Sequence, residues 1–228
     1  LPRSASDHLP FTPAELAEAA RAAVEAGAQD VHIHPKDPQD QDTLSPEHVG
    51  AAVEAVRAAV PGVPVGVTTG DWIDPSPHRR AELIRSWTVL PDHASVNWHE
   101  DGAEIVAEAL LDKGVGIEAG LFSGTEGAKR FLDWPRAHLV TRVLAEITDE
   151  DPATAPAAVE TALEELAGFD RPVLLHGEGG AAWEVLRIAL ARGLDTRIGL
   201  EDTLVLPGGE PATGNFELVR AAFAYRLP

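Results

Sequence analysis

The sequence contains no cysteine and no methionine in 228 residues, and a single tyrosine. Without cysteine there is no disulfide, no thiolate metal site and no cysteine nucleophile, so a transition metal here has only His, Asp and Glu to hold it. Positive charge is also scarce: 18 Lys and Arg stand against 37 Asp and Glu, a net charge of −19 at pH 7. Phosphate backbones need clustered Lys and Arg, which argues against a nucleic-acid partner. An anionic substrate would have to be met locally, by a metal, a single Arg or a helix N-terminus. The acidic excess itself reads as a solvated surface. No apolar run approaches the length that crosses a bilayer, and no basic, apolar leader opens the chain, so the expectation is a soluble, cytoplasmic protein without a membrane partner. The 44% hydrophobic content allows a substantial core. The length suits one large α/β domain, expected over residues 1–228.

What the chain does have is alternation. Thr12-Pro13-Ala14-Glu15 is a capping box with proline at the first helical position, and Leu16, Ala19, Ala20, Ala23 and Val24 then recur at helical spacing until Gly27. The same reading predicts further helices at about 46–60, 77–87, 102–112, 125–133, 152–167, 181–192 and 214–224. Strands are predicted at about 30–34, 63–69, 94–97, 115–119, 139–147, 172–176 and 196–200. Strict alternation implies a parallel sheet. Eight helices with seven strands, and a helix first, imply a first strand that is truncated or missing from the sequence. With it restored the total is eight βα units, the number that closes a (β/α)8 TIM barrel. An open doubly wound sheet is the alternative, but no GxGxxG follows a first strand and polar residues stand at many strand ends.

Barrel chemistry sits at the C-terminal ends of the strands. Read in order, those ends carry His32 and His34, Thr68 and Thr69, Asn97, Glu118, Glu146, His176, and Glu201 with Asp202. In Val31-His32-Ile33-His34 the side chains alternate, which sends both imidazoles into the barrel. The competing reading is a pair of buried, hydrogen-bonded histidines, which would need two separate partners. Glu201 shares the even-strand layer of the His pair, with strands 8 and 2 flanking strand 1, so the three can meet around one ion. Two neutral imidazoles and a carboxylate suit zinc with positions left open for substrate. Arg197 has the inward parity of Glu201 and could grip a carboxylate or form a buried salt bridge with Glu118 or Glu146. The His176–Gly180 run could hold a phosphate on free N–H groups, with a plain glycine turn as the simpler reading.

These residues also carry a resemblance. His32-Ile33-His34-Pro35-Lys36-Asp37, Thr68-Thr69-Gly70, Gly116-Ile117-Glu118, Arg197-Ile198-Gly199-Leu200-Glu201-Asp202 and Asn215-x-Glu217-Leu218-Val219 resemble the β-keto acid cleavage enzyme family, which includes 3-keto-5-aminohexanoate cleavage enzyme. The likeness runs from about residue 9 to residue 222. It implies a zinc-bearing (β/α)8 barrel that condenses a β-keto acid with acetyl-CoA and releases acetoacetate and a new acyl-CoA. It matches His32, His34 and Glu201 to the metal ligands, and Thr68, Glu118, Arg197 and Asp202 to catalytic positions, with Asp202 as general base. It also suggests a homo-oligomer. Lys36 stands where the family usually has Arg, and the family's N-terminal acidic residue has no counterpart in this sequence. A metal-dependent hydrolase of the amidohydrolase type also uses His-x-His, but needs further His ligands where this chain offers Glu118 and Glu146. A non-catalytic, metal-containing ligand-binding barrel is the reading from outside enzymology.

Overall fold

Thr12 starts the first helix as its sequence predicts. Its Oγ1 accepts the Glu15 N–H at 3.2 Å, and the Glu15 carboxylate accepts the N–H groups of Thr12 and Phe11 in return. Three backbone donors around the helix start are thereby bonded. The computed structural model describes residues 1–225, so the last three residues of the expected domain lie outside the described residues. The capped helix is α1 (Pro13–Glu25), and the chain continues β1 (Val31–Ile33), α2 (Pro46–Ala59), β2 (Val65–Val67), α3 (Pro77–Ser86), β3 (His93–Asn97), α4 (Ala103–Lys113) and β4 (Gly116–Phe122). It then runs α5 (Gly127–Asp133), β5 (Arg142–Ile147), α6 (Ala155–Glu165), β6 (Val173–Gly177), α7 (Ala182–Ala191) and α8 (Asn215–Ala224). Proline is the first residue of α1, α2 and α3 and the second of α6, where its missing N–H is no loss.

The strands pair in chain order, β1 to β6, and every pairing is parallel. Helices cover the outer face, so Val65, Val67, Ala94, Val96, Ile117, Ala119, Val143 and Ala145 are buried in one continuous core with the helix stripes. The architecture is therefore α/β with a parallel sheet and barrel-like topology.

Two expectations need correction. The predicted strand at 196–200 does not form: the segment makes one parallel bridge, Asp195 with Leu174, and then leaves the ladder. Among the described residues the sheet has six strands in barrel-like order, and the eight-stranded closure of a TIM barrel is not seen among them. The reason is hydrogen bonding. A barrel strand is held from both sides, whereas this segment meets β6 only at its start, where Leu175 N–H donates to Asp195 O, and it turns at Gly199, whose carbonyl accepts from Asp202 and Thr203. Helix α1 packs on both α2 and α8. Between the outer edge of β1 and segment 196–200 lies a cavity of about 470 Å³, walled by Leu16 and Ala20 of α1, Leu186 of α7 and Val219 of α8. The second correction concerns Glu118. Strand β4 runs on to Phe122, so Glu118 is its third residue and sits deep in the sheet rather than at the mouth. Strand β5 starts at Arg142 rather than at Leu139, which ends a 3-10 turn over residues 137–139. Among the described residues no helix is long and apolar enough to cross a membrane.

Candidate metal centre

The pleat of β1 sends Ile33 into the core at 5% exposure and leaves His32 and His34 together on the other face. Their rings lie 5.2 Å apart and nearly edge-on. Glu201 comes to them from the turn after segment 196–200. One donor atom from each of His32, His34 and Glu201 lies within 4.8 Å of the others. His34 Nε2 stands 3.1 Å from Glu201 Oε1 but without hydrogen-bond geometry, and it is a buried nitrogen with no hydrogen-bond partner among the described residues. Two imidazoles and a carboxylate converging around such an orphaned atom fit a divalent cation, and the donor set suits zinc. The predicted convergence of these three residues is present.

Neighbours support the ring of His34. Its Nδ1 faces Asp42 Oδ1 at 3.6 Å; Asp42 also takes Lys36 Nζ at 2.6 Å and the Trp72 indole N–H at 3.0 Å. Trp72 stacks on His34 with centroids 6.0 Å apart. Burial lowers the His32 pKa to about 3, so the ring is neutral and able to ligate. Burial acts the same way on His34 but is outweighed by Glu201 and Asp42, which raise it to about 9. The Glu201 side chain is 44% exposed; the partial desolvation that raises its pKa is overcome by Arg197 and His34, which hold the carboxyl well below the usual range.

Beside this cluster sits a second pair. Arg197 donates to Asp202 Oδ1 at 3.0 Å and stands 3.5 Å from Glu201 Oε2. The sequence reading of Arg197 against Glu118 or Glu146 is replaced by these two partners; Glu118 pairs with Arg142 instead. Asp202 Oδ1 also meets His176 Nδ1 at 3.3 Å, and His176 Nε2 faces Glu146 Oε2 at 3.5 Å. Asp202 Oδ2 is buried without a hydrogen-bond partner among the described residues. Burial pushes the Asp202 pKa up, but Arg197 and His176 bring it below its ordinary value.

The other predicted positions scatter. Thr68 is buried just past β2, its Oγ1 accepting the Gly70 N–H at 3.4 Å. Asn97 is tied to Glu100 at 2.7 Å, and Glu100 pairs with the buried Arg80. In the His176–Gly180 run the Gly179 N–H donates to Asp202 O, so the glycine turn serves the Asp202 loop. The sequence reading passed over His93 and Arg142, which pair with Glu118, and Asp30, which bonds both of them. The only signal was Gly66 in the middle of the Val65–Val67 strand, a residue that a strand interior disfavours unless something approaches closely.

The sequence profile described as beta-keto acid cleavage enzyme matches residues 2–118 and 129–225. A 3,5-dioxohexanoate:acetyl-CoA acetone transferase of Paraburkholderia graminis is 26% identical over 264 residues, covering 95% of this chain and 83% of that protein. A 3-keto-5-aminohexanoate cleavage enzyme of Fusobacterium nucleatum is 23% identical over 227 residues, covering 92% of this chain and 81% of that protein. A solved structure of an aldo/keto reductase from Klebsiella pneumoniae aligns with a TM-score of 0.48 and 16% identity, over 94% of this chain and 81% of that one, a likeness too slight to carry an argument. With nearly its whole length matched by that profile, the chain belongs to the beta-keto acid cleavage enzyme family.

Proposed function

We propose that the protein converts a β-keto acid and acetyl-CoA into acetoacetate and a new acyl-CoA, with zinc held by His32, His34 and Glu201. The observation that carries this reading is the meeting of those three donors beside the Arg197–Asp202 pair, in a chain of this family. When bound, the metal would act as a Lewis acid on the ketone of the β-keto acid.

The remaining work falls to the chain's own residues. Asp202 is the general base: Arg197 and His176 hold Oδ1, which leaves Oδ2 to take a proton from the carbon between ketone and carboxylate. That carbon bonds to the acetyl carbonyl carbon of the thioester and CoA thiolate leaves. The thiolate then adds to the original ketone carbon, and the bond between that carbon and the former nucleophile breaks in the retro-Claisen direction. The electron pair returns to the former nucleophile, Asp202 returns the proton, and acetoacetate and acyl-CoA are the products, with atoms and charge balanced. Arg197 fixes Asp202 and offers a cation to the substrate carboxylate. The Thr68 hydroxyl is assigned to the developing oxyanion.

Metal analysis of the purified protein, followed by a β-keto acid panel with acetyl-CoA and detection of acyl-CoA, tests the proposal. One zinc per chain and CoA-dependent acetoacetate release are expected. Turnover that survives complete metal removal, or hydrolysis without acyl-CoA, overturns it.

A further inference from the structure

Below the metal cluster, four charged side chains from separate elements form a closed ring. Asp30, just ahead of β1, takes His93 Nε2 on Oδ1 at 2.9 Å and Arg142 on Oδ2 at 2.9 Å. Arg142 also donates through Nε to Glu118 Oε1, and His93 Nδ1 meets Glu118 Oε2 at 3.2 Å. Both His93 and Glu118 are almost wholly buried. Charges are placed in such a position only when paired, and breaking one pair is costly.

The ring also lies beside one of the candidate metal ligands. Among the described residues His32 Nδ1 is buried with no hydrogen-bond partner, and Glu118 Oε2, the oxygen that meets His93, lies 3.9 Å from it. A histidine that binds a metal through one nitrogen commonly donates its other N–H to a carboxylate, which fixes the tautomer, aims the ring and raises its basicity. Both Glu118 oxygens are occupied by protein cations, so this carboxylate is set up to hold a neighbour and not to exchange protons with substrate.

We propose that Glu118, oriented by His93 and Arg142, is a positioning residue that holds the Nδ1 side of His32 and thereby strengthens metal binding. The proposal rests on the reading of His32, His34 and Glu201 as the metal ligands. It replaces the catalytic role that the family resemblance suggests for Glu118, and it adds His93 to the residues on which the site depends.

Zinc affinity, measured by competition with a chromogenic chelator, tests this without any assay of turnover, and the visible spectrum of the cobalt(II)-loaded protein reports the ligand geometry. Glu118→Gln keeps the shape and removes the charge. It should bind zinc about 10–100-fold more weakly than the wild type, with an altered cobalt spectrum. His93→Gln, which loosens Glu118 without touching His32, should shift affinity in the same direction by less. A folded Glu118→Gln protein with wild-type zinc affinity and cobalt spectrum overturns the proposal and leaves the metal site standing. If Glu118→Gln does not fold, wild-type affinity in folded His93→Gln overturns it equally. A wild type that binds no zinc overturns the metal site and this proposal together.

Discussion

The imidazole of His93 lies where a side chain at position 66 would have to go: a Cβ on Gly66 would stand 2.1 Å from His93 Cε1. The glycine inside β2 is thus the space into which β3 folds its buried histidine. Without that space the ring could not reach Asp30 and Glu118 together. Gly66→Ala should therefore expel the ring and cost about 1–3 kcal/mol, the usual penalty for overpacking. Urea unfolding of the apo protein measures it, and an unchanged midpoint would count against this packing.

His34→Ala and Glu201→Ala should each abolish stoichiometric zinc binding while leaving the apo fold intact, because both residues sit at the mouth and neither is part of the apolar core. Metal content after dialysis, with circular dichroism as the control, decides the matter. Zinc retained by Glu201→Ala would refute the three-residue site.

Trp72 offers an optical report of the same site. It is 54% exposed and stacks on His34, whereas Trp87 and Trp98 are buried. Zinc added to the apo protein should change the tryptophan emission, and Trp72→Phe should remove that change with little loss of affinity. A response that persists in Trp72→Phe would place the metal elsewhere.

Asp202→Asn should retain zinc and lower kcat about 10²- to 10⁴-fold, the range expected when a general base is removed. Asparagine still fills the space beside Arg197 and His176, so KM should move much less than kcat. Loss of zinc in this variant would mean that Asp202 belongs to the metal shell.

His93 makes stability depend on pH in a defined direction. Burial lowers its pKa, but Asp30 and Glu118, with Arg142 on the far side of both carboxylates, leave it raised to about 9 from an ordinary value near 6.5. A group whose pKa is raised by folding contributes all of its stabilisation below the unfolded value and loses it as the pH climbs through the folded value. The apo wild type should therefore lose melting temperature between pH 6.5 and pH 9 more steeply than His93→Gln. Parallel curves for the two proteins would show that His93 does not carry this linkage.

Much of the architecture could be read from local pattern. The capping box at Thr12, the proline start of α2 and the alternation of apolar runs mark the helices because caps and periodicity are properties of a few neighbouring residues, although α6 begins at Ala155, three residues after the proline expected to open it. The His pair was legible for a similar reason, since alternation along a strand puts His32 and His34 on one face whatever surrounds them. Segment 196–200 was misread because a strand exists only through its neighbours, and local apolar character says nothing about whether a partner stands on the far side. Glu118 was misplaced for a related cause: the end of β4 is set by its pairing with β3 and β5.

By itself the sequence determined the residue types available to a metal, the order of helices and extended runs, and the family to which the motifs point. Only the tertiary structure decided that Glu201 reaches His34, that Arg197 is spent on Asp202, and that Glu118 is enclosed by Arg142 and His93. Helix caps and strand alternation act over a few bonds of chain. Buried charges find partners by proximity in space, and the carboxylates and cations of this chain are too many for the linear order to say which will meet.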